Sequence, residues 1–495
     1  MAKLILAIDQ GTTGTRTYLF DRAGKVVGNA YQEFTQYFPK PGWVEHDALE
    51  IDQTVQETGK KALKSAGIRS SQVAAIGITN QRETTVLWNR KTGRPIHKAI
   101  VWQCRRTANR CDELKRQGTE KLFLNKTGLV VDAYFSGTKI EWLLQNVPDS
   151  AKKAARGELA FGTMDSWLLW NLTGGRSHFS DYSNASRTLL FNIQSKKWDA
   201  QLLKILHVPE SLLPRVQASA SSFGVTSVKS YLGAGIPIAG MAGDQQAALF
   251  GQGCHEPGTL KNTYGTGCFL LLNAGKKRIV SKNKLLTTLA CDGKGRPVYA
   301  LEGSVFIGGA AIQWIRDGLK LIKTSAESET VAKTVSDTGG VYFVPAFVGL
   351  GAPYWNGHAR GALVGLTRGT QKEHVVRATL ESLAYQTKDL VDAMLKDSHL
   401  KLKELRVDGG ASKNNLLMQF QSDILKVEIN RPKMVETTAM GAAFLAGLQV
   451  GYWKSSEEIQ KIRRIDKVFV PKMKEVDRKQ LWLGWKRAVR QVLVS

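Results

Sequence analysis

The sequence predicts a two-domain α/β protein whose halves are duplicated and face a central cleft. With 495 residues the chain exceeds what one ordinary hydrophobic core accommodates, so two large domains are expected. Helical stretches alternate with short apolar strands such as 73–79 and 99–102, which is typical of α/β proteins. Each half also contains a Gly/Thr-rich hairpin. We therefore place the boundary near Phe250 and predict an N-terminal domain over 1–249 and a C-terminal domain over 250–495.

The first hairpin lies at the start of the chain. Apolar segments 4–8 and 17–20 flank the turn 9–16, which reads D-Q-G-T-T-G-T-R. Glycines let a backbone approach a polyphosphate, and threonine hydroxyls add hydrogen bonds. Arg16 can neutralise a phosphate oxygen, and Asp9 can hold a hydrated Mg²⁺ ion. Taken alone, the segment is also compatible with an ordinary hairpin turn.

Two further glycine turns occur later in the chain. The turn 263–268 follows the segment 258–262 and precedes the apolar strand 269–272, and the segment 408–412 follows a strand that begins at Leu405. One such turn says little, but three turns at strand ends in both halves indicate phosphate binding. The chain has neither the P-loop lysine motif nor a G-x-G-x-x-G fingerprint, so the predicted nucleotide site is of another type.

The composition narrows the functional class. Hydrophobic residues make up 43% of the chain and charged residues 23%, as in globular proteins. The net charge of +26 would suit a nucleic-acid binder, but the basic residues are spread along the chain without a zinc-finger, basic-zipper or RNA-binding signature. We expect no nucleic acid as a biological partner and interpret the basic surface as attractive to anionic nucleotides.

The cysteines and apolar segments indicate a soluble protein of a reducing compartment. Five cysteines form no C-x-x-C pair, which argues against a zinc site or a disulfide framework. The most apolar long stretch, 341–355, is interrupted by prolines and glycines, so we expect no membrane insertion. We predict a cytoplasmic location.

Two long patterns in this sequence resemble signatures of the FGGY family of carbohydrate kinases. The segment 134–146 reads Y-F-S-G-T-K-I-E-W-L-L-Q-N, and the segment 361–366 reads G-A-L-V-G-L, with H-V at 374–375 and A-T-L-E at 378–381. The resemblance covers nearly the whole chain. It implies an α/β fold of two duplicated ribonuclease H-like (actin-type ATPase) domains around a central cleft, with ATP and Mg²⁺ as cofactors.

Within that family, four segments are similar to members that phosphorylate glycerol: 77–84, 100–107, 242–248 and 262–269. This resemblance implies ATP-dependent phosphorylation of glycerol to sn-glycerol 3-phosphate, the first step of glycerol catabolism. The expected partners are the small molecules glycerol and ATP, and the expected assembly is a homodimer or a homotetramer.

The resemblance also implies a set of site residues. Asp244 would be the catalytic base. The implied glycerol contacts are Arg82, Glu83, Trp102, Tyr134, Asp244, Gln245 and Phe269. The implied nucleotide contacts are Thr12, Thr13, Gly14, Arg16, Thr266, Gly309, Gln313, Gly410 and Asn414. The implied Mg²⁺ site consists of Asp9 and Asp244, holding the ion through water. These roles suit the chemistry, since arginine only donates hydrogen bonds, an ionised glutamate only accepts them, and the aromatic rings can cover the carbon chain of glycerol.

Several alternatives remain open at this point. Arg82 and Glu83 could form an ordinary surface ion pair. Asp244 could be the N-cap of a helix over 245–248. The enzyme could phosphorylate another polyol or a sugar such as xylulose. It could also be a non-catalytic, nucleotide-dependent interaction protein, or a basic nucleic-acid binder.

Overall fold

The computed structural model describes residues 3–494. Within these residues the chain forms 24 β-strands, which we number in chain order. The strands are β1 Leu4–Gln10, β2 Gly14–Phe20, β3 Val26–Glu33, β4 Gln36–Tyr37, β5 Glu45–His46, β6 Val73–Asn80, β7 Val86–Asn89, β8 Ala99–Ile100, β9 Leu159–Gly162, β10 Phe179–Asp181, β11 Phe191–Asn192, β12 Lys197–Trp198, β13 Arg215–Gln217, β14 Ala220–Val225, β15 Pro237–Gly243, β16 Leu260–Tyr264, β17 Cys268–Gly275, β18 Leu286–Cys291, β19 Pro297–Val305, β20 Tyr342–Val344, β21 Ala362–Val364, β22 Glu404–Asp408, β23 Glu428–Pro432 and β24 Ile465–Phe469.

The same part of the chain forms sixteen α-helices and three short 3₁₀ turns. The helices are α1 Ala48–Ser65, α2 Ala108–Arg116, α3 Glu120–Thr127, α4 Ser136–Asn146, α5 Ser150–Ala155, α6 Met164–Leu172, α7 Tyr182–Ala185, α8 Ala200–Ile205, α9 Asp244–Gly251, α10 Gly309–Asp317, α11 Glu327–Ala332, α12 Lys372–Ser398, α13 Asn415–Leu425, α14 Thr437–Gln449, α15 Ser456–Ile462 and α16 Glu475–Val494. The 3₁₀ turns are Ser70–Gln72, Glu210–Leu212 and Gly410–Lys413.

The first large sheet contains six strands in the order β14-β15-β6-β1-β2-β3. Strands β1, β2 and β3 form an antiparallel meander, β6 and β15 run parallel to β1, and β14 closes one edge in the antiparallel direction. The hairpin predicted at the start of the chain is confirmed, because Ile8 pairs with Thr17 and Asp9 pairs with Arg16 across it. The predicted strand 99–102 is only two residues long, Ala99–Ile100.

The second large sheet repeats this topology. Its order is β18-β19-β17-β16-β22-β23-β24. Strands β16, β17 and β19 form the antiparallel meander, β22 and β23 continue parallel to β16, and β24 closes the edge in the antiparallel direction. Strand β18 is an addition at the other edge. The predicted duplication is therefore confirmed. The connection between the halves runs from the end of α9 at Gly251 to the start of β16 at Leu260, and a domain division near there stays a prediction.

Helix α14 lies between strands β23 and β24 of the second sheet in the chain but packs against the first sheet and against α9. Its Phe444 and Leu445 share one apolar cluster with Ile5 and Ala7 of β1. The two halves therefore share a hydrophobic core beneath the cleft. Glycine allows this close approach, because a Cβ atom added at Gly441 would collide with the backbone of α9.

We expect the Gly441→Ala variant to be destabilised. Alanine normally favours a helix interior over glycine by about 1 kcal/mol, but here its methyl group would strike the carbonyl oxygen of Ala247. Overpacking of this kind costs about 1–3 kcal/mol, so the melting temperature should fall. The control is Gly357→Ala, because a Cβ atom there meets no heavy atom within 4 Å. Equal melting temperatures for the two variants would contradict the proposed close packing of α9 and α14.

The structure of residues 3–494 contains neither a disulfide nor a membrane-spanning helix. All five cysteines are buried and free of disulfides. Among the helices of residues 3–494, none combines the length and the apolar character needed to cross a membrane.

Candidate active site

The carboxyl ends of three neighbouring parallel strands bring four predicted site residues to one edge of the first sheet. Asp9 lies near the end of β1, Arg82 and Glu83 lie in the loop after β6, and α9 begins at Asp244 directly after β15. Asp9 is the register partner of Thr79 on β6, and β15 flanks β6 on its other side. The cleft edge of this sheet is therefore the candidate active site.

Asp244 is not the N-cap of its helix, so that alternative is wrong. Gly243 holds the N-cap position, and Asp244 is the first helical residue. Its Oδ1 accepts a hydrogen bond from the backbone N–H of Gln245 at 2.7 Å and lies 3.1 Å from Nε of Arg82. The side chain retains 32% exposure. The carboxylate of Asp244 is thus partly exposed in the cleft and is held in place by the buried guanidinium of Arg82.

Asp9 is a partly buried carboxyl close to other acidic groups. Burial raises its pKa to about 7, and the negative charges of Asp244 and Glu436 add to the rise while Arg16 opposes it. A carboxyl in this position is poorly stabilised as an anion by the protein alone. A cation between Asp9 and Asp244 would relieve this cost.

Arg82 is fully buried, so the alternative of a surface ion pair is wrong. Its Nη1 donates to Glu302 Oε2 at 2.7 Å and to Gln246 Oε1 at 3.2 Å, and its Nη2 donates to Glu302 Oε1 at 2.9 Å. Its Nε faces Asp244. Among residues 3–494, the second N–H of Nη2 has no acceptor. The side chain therefore keeps one donor for a ligand hydroxyl.

Glu83 is also buried, and its backbone adopts φ of 61°, which a residue other than glycine seldom takes. Its Oε1 accepts from Nε of Arg187 at 2.6 Å, and Arg187 Nη2 also donates to Glu302 Oε1 at 3.1 Å. Burial raises the pKa of Glu83, while Arg187 and Arg82 oppose the rise. Strained backbone of this kind is typical of functional sites.

Glu302 belongs to β19 of the second sheet, yet both of its arginine partners belong to the first half of the chain. Burial opposes its charged form, but Arg187 and Arg82 outweigh this effect and lower its pKa to about 2. Asp244, Arg82, Glu302, Arg187 and Glu83 thus form a chain of alternating charges, which we call the charge cluster. The charge cluster therefore forms one wall of the site, and its ion pairs join the two halves across the cleft.

Aromatic residues form a second wall. The rings of Trp102 and Tyr134 meet edge to face with their centres 5.5 Å apart. Nε1 of Trp102 donates to the Thr12 hydroxyl at 3.0 Å, which links this wall to the first glycine turn. Lys139 donates to the carbonyl oxygen of Tyr134 at 2.5 Å. Phe269 is partly buried on β17 of the second half, opposite Thr263.

The first glycine turn is held in shape by hydrogen bonds to its carbonyl oxygens, and the backbone N–H of Gly11 donates to the carbonyl oxygen of Gly14 at 2.9 Å. The side chain of Gln81 donates to the carbonyl oxygen of Gly11 at 3.2 Å, and Gln36 donates to that of Thr12 at 3.1 Å. Thr13 is exposed. Gly14 lies against the Tyr31 ring, where any Cβ atom would collide.

Arg16, at the base of the first turn, reaches toward the second half of the chain. Its Nη1 lies 3.3 Å from Glu436 Oε2, just before α14, and its guanidinium stacks over the Tyr31 ring at 5.0 Å. Both charged groups are substantially exposed. Arg16 is thus held toward the cleft by a contact that an incoming anion could replace.

The second glycine turn joins β16 to β17 and packs against the start of α10. The backbone N–H of Gly309 donates to the carbonyl oxygen of Gly265 at 2.9 Å, and a Cβ atom at Gly309 would crowd that oxygen. The Gly309 amide is therefore already engaged, and close packing explains its glycine. Thr266 and Gln313 are exposed.

The third glycine turn follows β22, beside the second. Gly410 is exposed, and a Cβ atom there would meet open space. The Asn414 side chain caps α13 through a 2.9 Å bond from the N–H of Leu417, and its Nδ2 lies 3.4 Å from the Ser328 hydroxyl. The predicted nucleotide residues thus lie on three glycine turns and on the strand and helices next to them, with Gly14 and Arg16 on β2, Gly309 and Gln313 on α10, and Asn414 at the N-cap of α13.

Sequence reasoning missed several residues of this site, of which all but Glu436 are buried. They are Arg187, Gln246, Lys261, Glu302 and Glu436. Two of them carried a signal in the sequence, since Lys261 lies two residues before the predicted turn 263–268 and Glu302 follows the apolar segment 298–301. Such charges are seldom fully buried unless they have a partner.

Comparison with known proteins gives two family matches. Residues 4–251 match the profile of the FGGY family of carbohydrate kinases, N-terminal domain, and residues 260–450 match that of the C-terminal domain.

Curated relatives match over the full length. The chain is 59% identical over 493 residues to a glycerol kinase of Caldanaerobacter subterraneus subsp. tengcongensis, covering 100% of this chain and 99% of the relative. It is 58% identical over 491 residues to glycerol kinase 2 of Thermotoga maritima, covering 99% of each chain.

Solved structures show the same architecture. Glycerol kinase of Plasmodium falciparum with ADP matches with a TM-score of 0.94 and 38% identity, covering 100% of this chain and 99% of the other. Gluconate kinase of Lactobacillus acidophilus matches with a TM-score of 0.89 at 23% identity, covering 100% and 99%. The second match shows the fold alone.

Proposed function

Because the chain belongs to the FGGY family of carbohydrate kinases, we propose that it transfers the terminal phosphoryl group of ATP to glycerol, giving sn-glycerol 3-phosphate. The two-domain, actin-type ATPase fold predicted from the sequence is confirmed. The observation that carries the proposal is the placement of Asp244 beside Arg82 at the strand ends. Asp244 is the proton acceptor and Arg82 the donor for a substrate hydroxyl, and the two lie next to each other in the cleft between the halves.

In this proposal Asp244 accepts the proton of the attacking hydroxyl. A loose phosphoryl-transfer transition state leaves that proton on the hydroxyl until late, so an ordinary carboxylate suffices as the base. The free N–H of Arg82 donates to a substrate hydroxyl, and Glu83 accepts from another. Trp102 and Tyr134 cover the carbon chain, exclude water, and so favour a small polyol over a pentulose.

The three glycine turns would hold the nucleotide. The exposed turn residues Thr13, Thr266 and Gly410, together with Gln313 on α10, offer hydroxyls, an amide and open backbone to phosphate oxygens. Arg16 would exchange its contact with Glu436 for a phosphate. These groups are fixed before the reaction, so they stabilise transferred charge without reorganising.

The residues at the cleft fit a magnesium ion. Asp9 and Asp244 supply the carboxylate oxygens that Mg²⁺ prefers, and a bound cation would oppose the rise in the pKa of Asp9 that burial and the charges of Asp244 and Glu436 cause. Within residues 3–494 no cluster of three or more His, Cys, Asp or Glu side chains forms a metal cage. Phosphate oxygens and water would therefore complete the coordination. The ion would neutralise charge on the transferred phosphoryl group.

The cellular setting is part of the same proposal. Five buried, unpaired cysteines are typical of a reducing compartment, so we place the reaction in the cytoplasm. A homodimer or homotetramer remains our expectation for the assembly.

We expect glycerol to give the highest kcat/KM among dihydroxyacetone, erythritol, ribulose, xylulose and glycerol. The reason is that the aromatic wall borders the charge cluster closely, with the Arg187 guanidinium carbon 5.6 Å from the centre of the Tyr134 ring. A coupled ADP-release assay across the five substrates measures this directly. A higher kcat/KM for xylulose or ribulose would overturn the glycerol assignment while leaving the kinase class intact. No substrate-dependent ADP release at all would favour a non-catalytic nucleotide-binding protein.

A further inference from the structure

Lys261 is a fully buried lysine that the proposed mechanism does not use. It lies on β16, two residues before the start of the second glycine turn, and its side chain has no exposed surface. Its Nζ donates to Gln245 Oε1 at 2.5 Å and to the Thr263 hydroxyl at 2.8 Å. Gln245 belongs to α9 in the first half, whereas Thr263 belongs to the second. Lys261 therefore joins the two halves directly beside Asp244.

The hydrogen bonds of Lys261 determine how the Gln245 amide is turned. An ammonium group only donates, so the oxygen of the Gln245 amide must face Lys261. The nitrogen of that amide must then point the other way, and it donates to Asp244 Oδ2 at 3.1 Å. If the amide were reversed, its oxygen would face a carboxylate and repel it. The orientation that supports Asp244 is thus imposed from the second half of the chain.

We propose that Lys261 is a positioning residue that orients Asp244 through Gln245 and couples it to the phosphate turn at Thr263. The inference rests on the proposed function, because it deepens the role given to Asp244. It also explains how contact between the two halves completes the site. Without β16 in place, the Gln245 amide is free to turn over, and Asp244 loses one of its two side-chain donors.

The charges around Lys261 keep it cationic at neutral pH. Burial lowers its pKa to about 8, while Asp408, Asp244 and Glu302 oppose the fall and Arg82 adds to it. A buried ammonium is retained only where it is paired and hydrogen-bonded. Lys261 meets that condition through its hydrogen bonds to Gln245 and Thr263 and through the nearby negative charges of Asp408, Asp244 and Glu302.

The Lys261→Met variant tests the proposal. Methionine keeps a similar stem but removes the charge and every donor. Because Asp244 would no longer be held in its orientation, kcat should fall by about 10–100-fold, while the KM for ATP changes less than kcat. The control is Lys388→Met, which removes a buried lysine bonded to Asp392 on α12. That variant should keep wild-type kcat even if its melting temperature falls.

A double-mutant cycle shows whether Lys261 acts through Gln245. The Gln245→Met variant removes the same link, so adding Lys261→Met to it should lower kcat by less than about 2-fold further. Additive losses would overturn the proposal, and so would a folded Lys261→Met enzyme that keeps more than half of wild-type kcat.

The Gln245→Glu variant covers the case in which Lys261→Met does not fold. A glutamate still pairs with Lys261, so stability should be retained, but it cannot donate to Asp244 and kcat should fall by about 10-fold or more. Wild-type kcat in this folded variant would overturn the proposal. Failure of the wild-type protein to phosphorylate glycerol would instead overturn the proposed function, and the two results are therefore distinguishable.

Discussion

The Asp244→Asn variant is expected to lose about 10²–10⁴-fold in kcat, the range associated with removal of a general base. Asparagine has the same size as aspartate but accepts no proton at neutral pH. Glycerol affinity should change far less, because an amide still bonds a hydroxyl in the ground state. Its oxygen can still face Nε of Arg82, so the melting temperature should fall only slightly. ADP release, glycerol binding by calorimetry and thermal melting on one preparation measure all three quantities.

The matched control is Asp47→Asn. Asp47 is a true helix N-cap, since its side chain accepts hydrogen bonds from the backbone N–H groups of Leu49 and Glu50. Asparagine is as good an N-cap as aspartate, so kcat and melting temperature should both stay near wild type. A folded Asp244→Asn protein that keeps more than about a tenth of wild-type kcat would remove Asp244 from the role of base.

Local patterns made the fold and the glycine turns predictable from the sequence. The segment 4–20 contains two apolar runs around a Gly/Thr turn, and this information suffices for a hairpin because the partners are neighbours in the chain. The same holds for the hairpin 260–275 and for strand β22 with the glycine turn that follows it. The recurrence of the motif then indicated duplication, which the matching order of the two large sheets confirms.

The charge cluster could not be predicted, because its contacts join residues that are remote in sequence. Arg82 and Glu302 are 220 positions apart, and Glu302 comes from the opposite half of the chain. In the sequence, Glu83 is the obvious partner of Arg82, yet those two groups are 3.9 Å apart and each is bonded more closely to another residue. Only the folded arrangement shows which charges are paired.

The cap alternative for Asp244 illustrates the same limit at short range. An aspartate before Q-Q-A-A fits an N-cap pattern as well as a cleft carboxylate. The outcome depended on where β15 ends, since Gly243 takes the cap position and Asp244 enters the first helical turn. Element boundaries shift by one or two residues with tertiary packing, and here one residue separates a structural role from the one we propose.

The Glu302→Gln variant is expected to be strongly destabilised and poor at binding glycerol. Glutamine removes the negative charge and replaces one acceptor oxygen with an NH₂ group, which leaves Arg82 and Arg187 buried without a neutralising anion at this position. Breaking a buried ion pair from one side costs about 3–5 kcal/mol, so thermal or denaturant unfolding should show a large loss. Because Arg82 also loses its fixed orientation, the KM for glycerol should rise by a larger factor than kcat falls. Steady-state kinetics at a temperature where the variant stays folded separates the two effects.

The pH dependence of the same variant distinguishes loss of charge from loss of packing. The pKa of Glu302 is about 2 in the folded protein, below its ordinary value of 4.5. A carboxylate with a lowered pKa contributes stability above its unfolded-state value, and that contribution disappears as the pH falls toward the folded-state value. The difference in melting temperature between wild type and Glu302→Gln should therefore be largest above pH 4.5 and narrow below it. The control Glu158→Gln, at the exposed pair with Arg156, should leave the melting temperature nearly unchanged at every pH. A difference for Glu302→Gln that stays constant across this range would show that the charge cluster owes its stability to packing rather than to ionised Glu302.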